Sequence, residues 1–228
     1  MVNIIMCVKD RYTLTKQSID TLRNHTDCKA YTLTIVDDGS SDFRVRRYLN
    51  DEVLVNSGNT TMLRVEYGTH HTSRLKNIGA WWAAEHFGRS NWIYFSDNDV
   101  YFLDEWLRKL IDLVARYPDF RVVGGQNHPY HHPIADAGIN AKEYSALAGT
   151  SMLMSERTWS ELGPFSRETA PGVCQGEDWL FGESVKADGG RIGVIYPHVV
   201  IHTGVTNSEG KPAIGSELFQ RVSGVIYE

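Results

Sequence analysis

The chain has 228 residues, of which 42% are hydrophobic and 22% charged, and its net charge at pH 7 is −5. A chain of this length can bury one substantial core, and its composition is that of a soluble globular protein. The negative net charge argues against a broad binding surface for nucleic acids or anionic membranes.

The sequence also bears on the compartment. No apolar segment is long enough to span a bilayer, and no basic-then-apolar stretch at the N-terminus indicates a signal peptide. The three cysteines, Cys7, Cys28 and Cys174, are widely separated and lack the spacing of metal sites. We therefore expect a reduced, cytoplasmic protein of a bacterium or of a phage-infected host cell.

In chain order, the first hundred residues predict alternating strands and helices. Thr13 is the expected N-cap of one helix, and a second helix is expected from Thr72 or Ser73 to near Gly88. This alternation predicts an α/β fold with a doubly wound, mostly parallel sheet. Strands are predicted in VNIIMCV (2–8), AYTLTIVDDGSSD (30–42, ending in a turn), MLRVEY (62–67) and NWIYFSDNDVYF (91–102).

The second half of the sequence is organised differently. An amphipathic helix is predicted over 104–118, followed by a strand at RVVGG and a loop dense in histidine, proline and glycine. A strand and a helix (146–165), a short helix (176–190) and a final pair of strands (191–204) complete the pattern. Because the sequence shows no repeat and no linker, it predicts one domain over residues 1–228.

The fourth predicted strand ends in two carboxylates, Asp97 and Asp99, on either side of Asn98. Residues two apart in an extended segment point to the same side, and open α/β sheets bind ligands at the carboxyl ends of their strands. Two adjacent carboxylates repel unless one is protonated or a cation lies between them, and Mg²⁺ or Mn²⁺ suits oxygen ligands. The pair therefore indicates a metal site, with a turn and a solvated Asp99 as an equally good alternative.

Acidic residues also end the second predicted strand, where Asp37 and Asp38 precede a Gly–Ser turn. Carboxylates there can accept a base N–H or ribose hydroxyls, but an Asx-type turn with a helix cap at Ser40 or Ser41 explains the pattern equally well. Arg74, near the start of the second predicted helix, suits a diphosphate or a base carbonyl, although a surface arginine on a packed helix is the simpler interpretation.

Two further groups lie late in the chain. Glu177 and Asp178 are adjacent near the start of a predicted helix, where neighbouring side chains face different directions. In an enclosed cleft one of them can act as general base on a hydroxyl, whereas acids at a helix N-terminus are also favoured by the helix dipole. His202 is either a satisfied core histidine, the favoured interpretation from the residue alone, or a third metal ligand.

Taken together and in order, these segments resemble the GT-A glycosyltransferases, in particular enzymes of the family 2 type. The resemblance implies a single GT-A domain that transfers a sugar from a nucleotide sugar to an acceptor hydroxyl with Mn²⁺ or Mg²⁺. Residues 1–100 then form the nucleotide-sugar-binding half, and residues 101–228 form the acceptor-binding half. The resemblance extends over about residues 2–204 and is carried by NIIMCVKDRY, IVDDGSSD, RLKNIGA, FSDNDVYF, GTSMLMSERTWSELGPFS and GEDWLFGESVKADGGRIGVIYPHVVIHTG.

The resemblance also implies roles on the donor side. Asp38 matches the acid that contacts the nucleobase, and Arg74 matches its basic partner. Asp99 is the expected direct metal ligand, while Asp97 contacts the ribose or coordinated water and is a second candidate ligand. Arg11 is a further donor-binding candidate, although CVKDR departs from the Asn–Arg pair found in many members.

On the catalytic side, Asp178 matches the acid that serves as base in inverting members, with Glu177 beside it as a second catalytic candidate. His202 matches a further metal ligand. In a retaining enzyme, Asp178 would instead hold the acceptor or the sugar. A UDP-sugar is the favoured donor, and the acceptor is a glycan, a lipid-linked sugar, a protein or a modified nucleobase. The His128–His132 loop is interpreted as acceptor-binding in preference to a second metal site.

Two other classes stay open as alternatives. A nucleotidyltransferase uses a similar sheet and metal, but it usually has a Gly-rich basic loop after the first strand, and CVKDRYTLTKQ contains no glycine. A non-catalytic carbohydrate- or nucleotide-binding module would not need Asp178. Because no Q-x-x-R-W follows Glu177 and Asp178, a processive polysaccharide synthase is disfavoured.

Overall fold

The structure is a computed structural model that describes residues 1–55, 57–66, 71–126, 133–137, 140–166 and 177–203. Strands in these residues are β1 (Val2–Val8), β2 (Tyr31–Asp37), β3 (Thr60–Arg64), β4 (Trp92–Asp97), β5 (Val100–Phe102), β6 (Phe120–Gly124), β7 (Pro133–Asp136), β8 (Ala141–Tyr144), β9 (Ser151–Ser155), β10 (Arg191–Ile195) and β11 (Val200–His202). Helices are α1 (Tyr12–Asn24), α2 (Phe43–Tyr48, continued by a π-helical turn, Leu49–Val53), α3 (Thr72–Phe87), α4 (Trp106–Arg116), α5 (Glu156–Leu162) and α6 (Glu177–Ala187).

The main sheet of the described residues has the strand order β3-β2-β1-β4-β9-β6-β10-β8-β7, and β5 and β11 form a separate two-stranded ribbon. The neighbours among β1 to β4 are all parallel. β9 runs antiparallel between β4 and β6, and β6 and β10 are again parallel. The β7–β8 hairpin forms the far edge. The predicted α/β fold with a mostly parallel sheet is therefore confirmed.

The order of the strands places a crevice at β1. From β1 the chain adds β2 and β3 on one side and then β4 on the other. Such a switch point leaves space outside the carboxyl ends of the two central strands, because the connections on either side diverge. The residues that directly follow β1, β2 and β4 therefore meet at one edge of the sheet.

Two hydrophobic clusters, one on each face of the sheet, hold the layers together. α1, α2 and α4 pack on one face, where Trp106 is fully buried, and α3, α5 and α6 pack on the other around Phe181. Gly79 lets α3 approach the sheet closely, because a Cβ atom there would lie 2.5 Å from Ile5 Cγ2 and 2.7 Å from Val36 Cγ2. This contact fixes α3 beside the crevice.

The predicted fourth strand is two strands. β4 ends at Asp97, and after a bend the chain continues as β5, which pairs with β11. Hydroxyls of α1 take the place of a ladder partner: Ser18 Oγ donates to the carbonyl of Val100 (2.6 Å) and accepts from its N–H (2.8 Å). Thr21 Oγ1 likewise accepts from the N–H of Phe102 at 3.3 Å. The apolar pattern does not reveal this change of partner, since both strands are buried.

Other differences from the predictions have local causes. α1 follows a cap position at Arg11 and not at Thr13. α2 is capped by Asp42 and not by Ser40 or Ser41, and the Asp42 carboxylate accepts from the Arg44 N–H at 2.9 Å. β7 and β8 form a hairpin where a loop is predicted.

No helix within the described ranges combines the length and the apolar character needed to cross a bilayer. Cys7 is buried, Cys28 is exposed, and the two are not bonded to each other. Cys174 lies outside the described residues.

Candidate active site

A cleft of about 270 Å³ opens at the carboxyl ends of β1, β2 and β4, at the switch point of the sheet. The first turn of α3 completes its wall. Arg11 and Asp99 meet in this cleft although they are 88 residues apart in the sequence. The lining residues are Cys7, Val8, Lys9, Arg11, Asp38, Thr72, Leu75, Asp97, Asn98 and Asp99.

The two acids at the end of β2 have different surroundings. Asp37 is fully buried and accepts from the Ser40 N–H and from Arg64 Nε, both at 2.9 Å, so it closes the turn and anchors β3. Asp38 is 3% exposed and lines the cleft, and Lys9 Nζ fixes its backbone by donating to its carbonyl at 2.6 Å. The turn interpretation therefore describes Asp37, while the predicted contact of Asp38 with a base stays a prediction.

At the end of β4 the chain bends at Asn98 and Asp99. Asn98 turns toward α1, where its Nδ2 donates to Thr15 Oγ1 (2.7 Å) and to the carbonyl of Asp10 (3.3 Å). Asp97 and Asp99, on either side of it, line the cleft together. The alternative of a solvated Asp99 does not hold, because Asp99 is only 5% exposed.

Asp99 is held by residues from both ends of the chain. Arg11 Nη1 donates to Oδ2 at 2.6 Å, and His202 Nε2 lies 3.1 Å from Oδ1. The β5–β11 ribbon brings His202 there by placing it opposite Val100. Directly beside this ribbon, the N–H and the hydroxyl of Thr203 both donate to the carbonyl of Asp99 at 2.7 Å.

The charges in the cleft shift one another's pKa values. Burial opposes ionisation of Asp99, but close contact with His202 and the Arg11 guanidinium outweigh it and hold the pKa of this carboxyl below its usual value. Burial likewise opposes the imidazolium of His202, yet its contact with Asp99 raises the pKa of His202. Burial raises the pKa of Asp97, opposed by the Lys76 charge and reinforced by that of Asp99. The cleft thus holds several carboxylates, and cationic side chains relieve the repulsion between them.

Asp99 and His202 fit a divalent cation. Oδ1 of Asp99 is buried and has no well-aligned hydrogen-bond partner among the described residues, although His202 Nε2 lies close. A buried carboxylate oxygen suits Mn²⁺ or Mg²⁺, and the neighbouring imidazole favours Mn²⁺ because it binds nitrogen ligands more readily. Within the described ranges, no three His, Cys, Asp or Glu side chains converge on one point. The chain would therefore supply two ligands and leave the other positions to water and phosphate oxygens, and the role of Asp97 as a ligand stays a prediction.

Asp178 lies in the first turn of α6, and its side chain is half-buried. Its carboxylate accepts from the Gly149 N–H at 3.1 Å and from the Trp179 N–H at 2.8 Å. Burial is the main cause of the raised pKa of Asp97. The charge of Asp178 lies close enough to add to this rise. The side chain of its neighbour Glu177 lies outside the described part of the structure.

Arg74 does not join the cleft, since it is exposed and is not among the lining residues. Its predicted contact with the base stays a prediction. Lys76, two residues further on, is 1% exposed, and its charge acts on Asp97. The sequence contains a signal for Lys76 in the helical period, because it shares a face with Gly79 and Ala83, both of which are buried against the sheet.

The His128–His132 loop lies outside the described residues. Its interpretation as an acceptor-binding loop stays a prediction.

A mostly parallel α/β sheet with an acid-lined cleft at its switch point, followed by a mixed second half, defines a fold of the GT-A class. The sequence profile of Glycosyl transferase family 2 matches residues 3–150, more than half of the chain, and the protein belongs to this family. The resemblance expected from the motifs is therefore confirmed. A comparison with curated protein sequences gave no match.

Solved structures share this fold at low sequence identity. GalNAc-T7 with UDP, GalNAc and Mn²⁺ has a TM-score of 0.69 and 11% identity, over 86% of this chain and 42% of that one. The mannosyltransferase PcManGT from Pyrobaculum calidifontis, in complex with GDP-Man and Mn²⁺, has a TM-score of 0.64 and 14% identity, over 87% and 55%. S. aureus TarS 1-349 has a TM-score of 0.60 and 16% identity, over 87% and 59%. The chain thus spans about half the length of these proteins, and the likeness is one of fold.

Proposed function

We propose that the protein is a cation-dependent glycosyltransferase that moves a sugar from a nucleoside-diphosphate sugar to an acceptor hydroxyl, with inversion at the anomeric carbon. The observation that carries the proposal is the cleft at the ends of β1, β2 and β4, where Asp38, Asp97 and Asp99 lie together and His202 touches Asp99. Membership of Glycosyl transferase family 2 supports the class of reaction.

The donor is proposed to lie along the cleft from β2 to β4. Asp38 at the end of β2 accepts an N–H of the base, and Asp97 at the end of β4 accepts a ribose hydroxyl or a water of the cation. Because Asp38 is buried and Asp97 partly so, little bulk water competes for these hydrogen bonds. Arg74 is the proposed cationic partner of the base, which its exposed side chain would approach from α3.

Asp99 and His202 are proposed to hold Mn²⁺ or Mg²⁺. When bound, such a cation stabilises the negative charge that develops on the leaving nucleoside diphosphate. The buried Oδ1 of Asp99, which lacks a well-aligned partner among the described residues, supports this assignment. Two similar structures contain Mn²⁺ together with UDP or GDP-Man, which supports Mn²⁺ and a nucleoside-diphosphate donor. A UDP-sugar is the favoured donor.

Asp178 is proposed as the general base. Its carboxylate takes the proton of the acceptor hydroxyl while that oxygen attacks the anomeric carbon from the face opposite the diphosphate, which inverts the configuration. The hydrogen bond from the Gly149 N–H at 3.1 Å supports this role, because it fixes the orientation of the carboxylate. Glu177 is the second candidate.

We further propose that residues 1–100 bind the donor and residues 101–228 bind the acceptor within one domain. The sheet continues across the two halves, since β9 pairs with β4. The acceptor class (glycan, lipid-linked sugar, protein or modified nucleobase) would then be set by the second half, including the His128–His132 loop.

Thermal unfolding with and without Mn²⁺ tests the donor site. At a hundred times its Kd, a ligand stabilises the native state by about 2.7 kcal/mol, which for a chain of this size raises Tm by roughly 5–10 °C. We expect such a rise with one of UDP, GDP, dTDP and CDP, and only when Mn²⁺ or Mg²⁺ is present. If none of the four changes Tm under either condition, the proposal is wrong.

Asp178→Asn separates chemistry from donor binding. We expect this variant to keep the cation-dependent rise in Tm, while sugar transfer falls by about 10²–10⁴-fold through loss of the base. Transfer is measured as nucleoside diphosphate released together with glycosylated acceptor. Asp188→Asn, directly after the same helix and paired with Arg121, is the matched control and should transfer at the normal rate. Release of pyrophosphate in place of nucleoside diphosphate would identify a nucleotidyltransferase.

A further inference from the structure

We propose that Arg11 competes with the divalent cation for Asp99 and moves to the donor diphosphate when the cation binds, so that cation and donor bind cooperatively. This inference rests on the proposed function and adds to it a positioning residue and an energetic coupling between the two ligands.

The first ground is the occupation of the Asp99 carboxylate. Arg11 Nη1 lies 2.6 Å from Oδ2, His202 Nε2 lies 3.1 Å from Oδ1, and the Asp99 side chain is only 7% exposed. A cation approaching from the cleft meets the guanidinium on the cleft side of this carboxylate, because Arg11 also lines the cleft. Two positive charges cannot share one carboxylate at this range without strong repulsion. A cation on Oδ1 therefore weakens the ion pair of Arg11 with Oδ2 and favours withdrawal of the guanidinium.

The second ground is that the Arg11 side chain can withdraw while its backbone stays in place. The side chain is 54% exposed, and Asp99 is its one hydrogen-bond partner among the described residues. The backbone has positive φ angles at Asp10 (51°) and Arg11 (55°), which non-glycine residues rarely adopt. The Asp10 carboxylate holds this loop by accepting the N–H groups of Ser41 (2.7 Å) and Asp42 (2.8 Å). Rotation of the side chain alone is thus sufficient.

The third ground is where the released guanidinium would go. Arg11 stands between the end of β1 and α1, on the wall of the cleft that also contains Asp38 and Asp99. A donor that reaches from Asp38 to a cation on Asp99 brings its diphosphate past this wall. A guanidinium binds phosphate oxygens through two parallel hydrogen bonds, so the diphosphate takes the place of the Asp99 carboxylate as the anionic partner of Arg11.

The consequence is a coupling that can be measured without turnover. The cation alone weakens the Arg11–Asp99 ion pair at a cost, whereas with the nucleotide present the freed guanidinium gains a new partner. By linkage, the nucleotide then raises the affinity for the cation by the same factor as the cation raises the affinity for the nucleotide.

The test is a titration of Mn²⁺ followed by the electron paramagnetic resonance signal of the free ion, with and without UDP, GDP, dTDP or CDP. In Arg11→Gln we expect Mn²⁺ alone to bind about fivefold more tightly than in the unmodified protein, because a competing ion pair is removed. We expect the enhancement by the nucleotide to fall by at least about fivefold. Arg11→Lys keeps the charge but not the two-pronged geometry. Its Mn²⁺ affinity and its nucleotide enhancement should both lie between those of the unmodified protein and those of Arg11→Gln.

Arg108→Gln is the matched control. Arg108 is an exposed arginine of α4 that pairs with Glu105 (2.8 Å) and Asp112 (2.9 Å) outside the cleft, so both affinities should be unchanged. If Arg11→Gln binds Mn²⁺ alone no more tightly than the unmodified protein, while the unmodified protein shows nucleotide-enhanced binding, the inference is overturned and the proposed function stands. If the unmodified protein binds no Mn²⁺ with any of the nucleotides, both are overturned.

Discussion

Two strands of the same sheet, β2 and β4, each end in a pair of acids, and the two pairs are used differently. At the end of β2 the acids are adjacent, and Asp37 is buried in the fold while Asp38 lines the cleft. At the end of β4 the acids are two residues apart, and Asp97 and Asp99 line the cleft together. At the end of β2 the two adjacent side chains point to opposite sides, as in an extended chain, whereas after β4 the chain bends.

In each region, one residue of the acidic segment has a structural task. Asp37 ties the turn and β3 to β2 through Ser40 and Arg64. Asn98 ties the bend after β4 to α1 through Thr15. One strand end thus combines a structural acid with a ligand-facing acid, while the other presents two ligand-facing acids around a structural amide. Substitutions at these positions should therefore separate stability from binding.

Asp99→Asn is expected to have the largest effect. The substitution keeps the size of the side chain but removes the charge that is proposed to hold the cation. Loss of several kcal/mol of stabilisation of the leaving diphosphate lowers transfer by about 10³-fold or more. The rise in Tm with nucleotide and Mn²⁺ should vanish as well.

The control for this variant lies in the same ion pair. Asp99→Asn also releases Arg11, so Arg11→Gln shows the effect of losing the pair alone, and it should retain binding of Mn²⁺. If Asp99→Asn keeps a normal nucleotide- and Mn²⁺-dependent Tm rise, the cation is not bound at the end of β4.

Local signals explain why the first half of the fold is predictable from the sequence. β1 is a β-branched apolar run with a clear beginning and end, and it covers Val2–Val8 as predicted. α3 begins at Thr72 and ends before Gly88, whose φ of 81° is the conformation that favours glycine after a helix. Because local signals also mark where β1, β2 and β4 end, the motifs that follow them could be placed at one edge of the sheet.

The parts that the sequence does not predict depend on partners distant in the chain. The split between β4 and β5 arises from the hydroxyls of Ser18 and Thr21 on α1, and the position of His202 from the pairing of β11 with β5. The ion pair of Arg11 with Asp99 requires the Asp10–Arg11 loop to adopt positive φ angles. None of these features has a local sequence pattern, because each depends on contacts between segments that are distant in the chain.

Asp37→Asn is expected to have the second largest effect, on stability and not on binding. The buried Asp37 is the partner of Arg64 Nε, and Arg64 Nη2 is also buried and has no hydrogen-bond partner among the described residues. Removing the charge weakens a buried charge-assisted hydrogen bond, at a cost of about 1–3 kcal/mol, or roughly 2–4 °C in Tm for each kcal/mol.

Chemical denaturation and thermal unfolding measure this effect. Asp51→Asn, in an exposed pair with Arg47 at 3.6 Å, is the matched control and should change stability by less than about 1 kcal/mol. A variant at Asp37 that unfolds normally but loses nucleotide binding would show that the assignment of the two β2 acids is reversed.

Asp38→Asn is expected to have the smallest effect, and it completes the comparison of the two strand ends. The backbone contacts of Asp38, from its N–H to the Val8 carbonyl (2.9 Å) and from Lys9 Nζ to its own carbonyl (2.6 Å), do not involve the substituted group. These backbone contacts should therefore persist in the variant. A carboxylate accepts a base N–H more strongly than an amide oxygen does, by about 1–2 kcal/mol, so nucleotide affinity should fall by roughly tenfold. Calorimetric titration of the nucleotide at saturating Mn²⁺ measures the loss, and an unchanged affinity would mean that the base does not reach the end of β2.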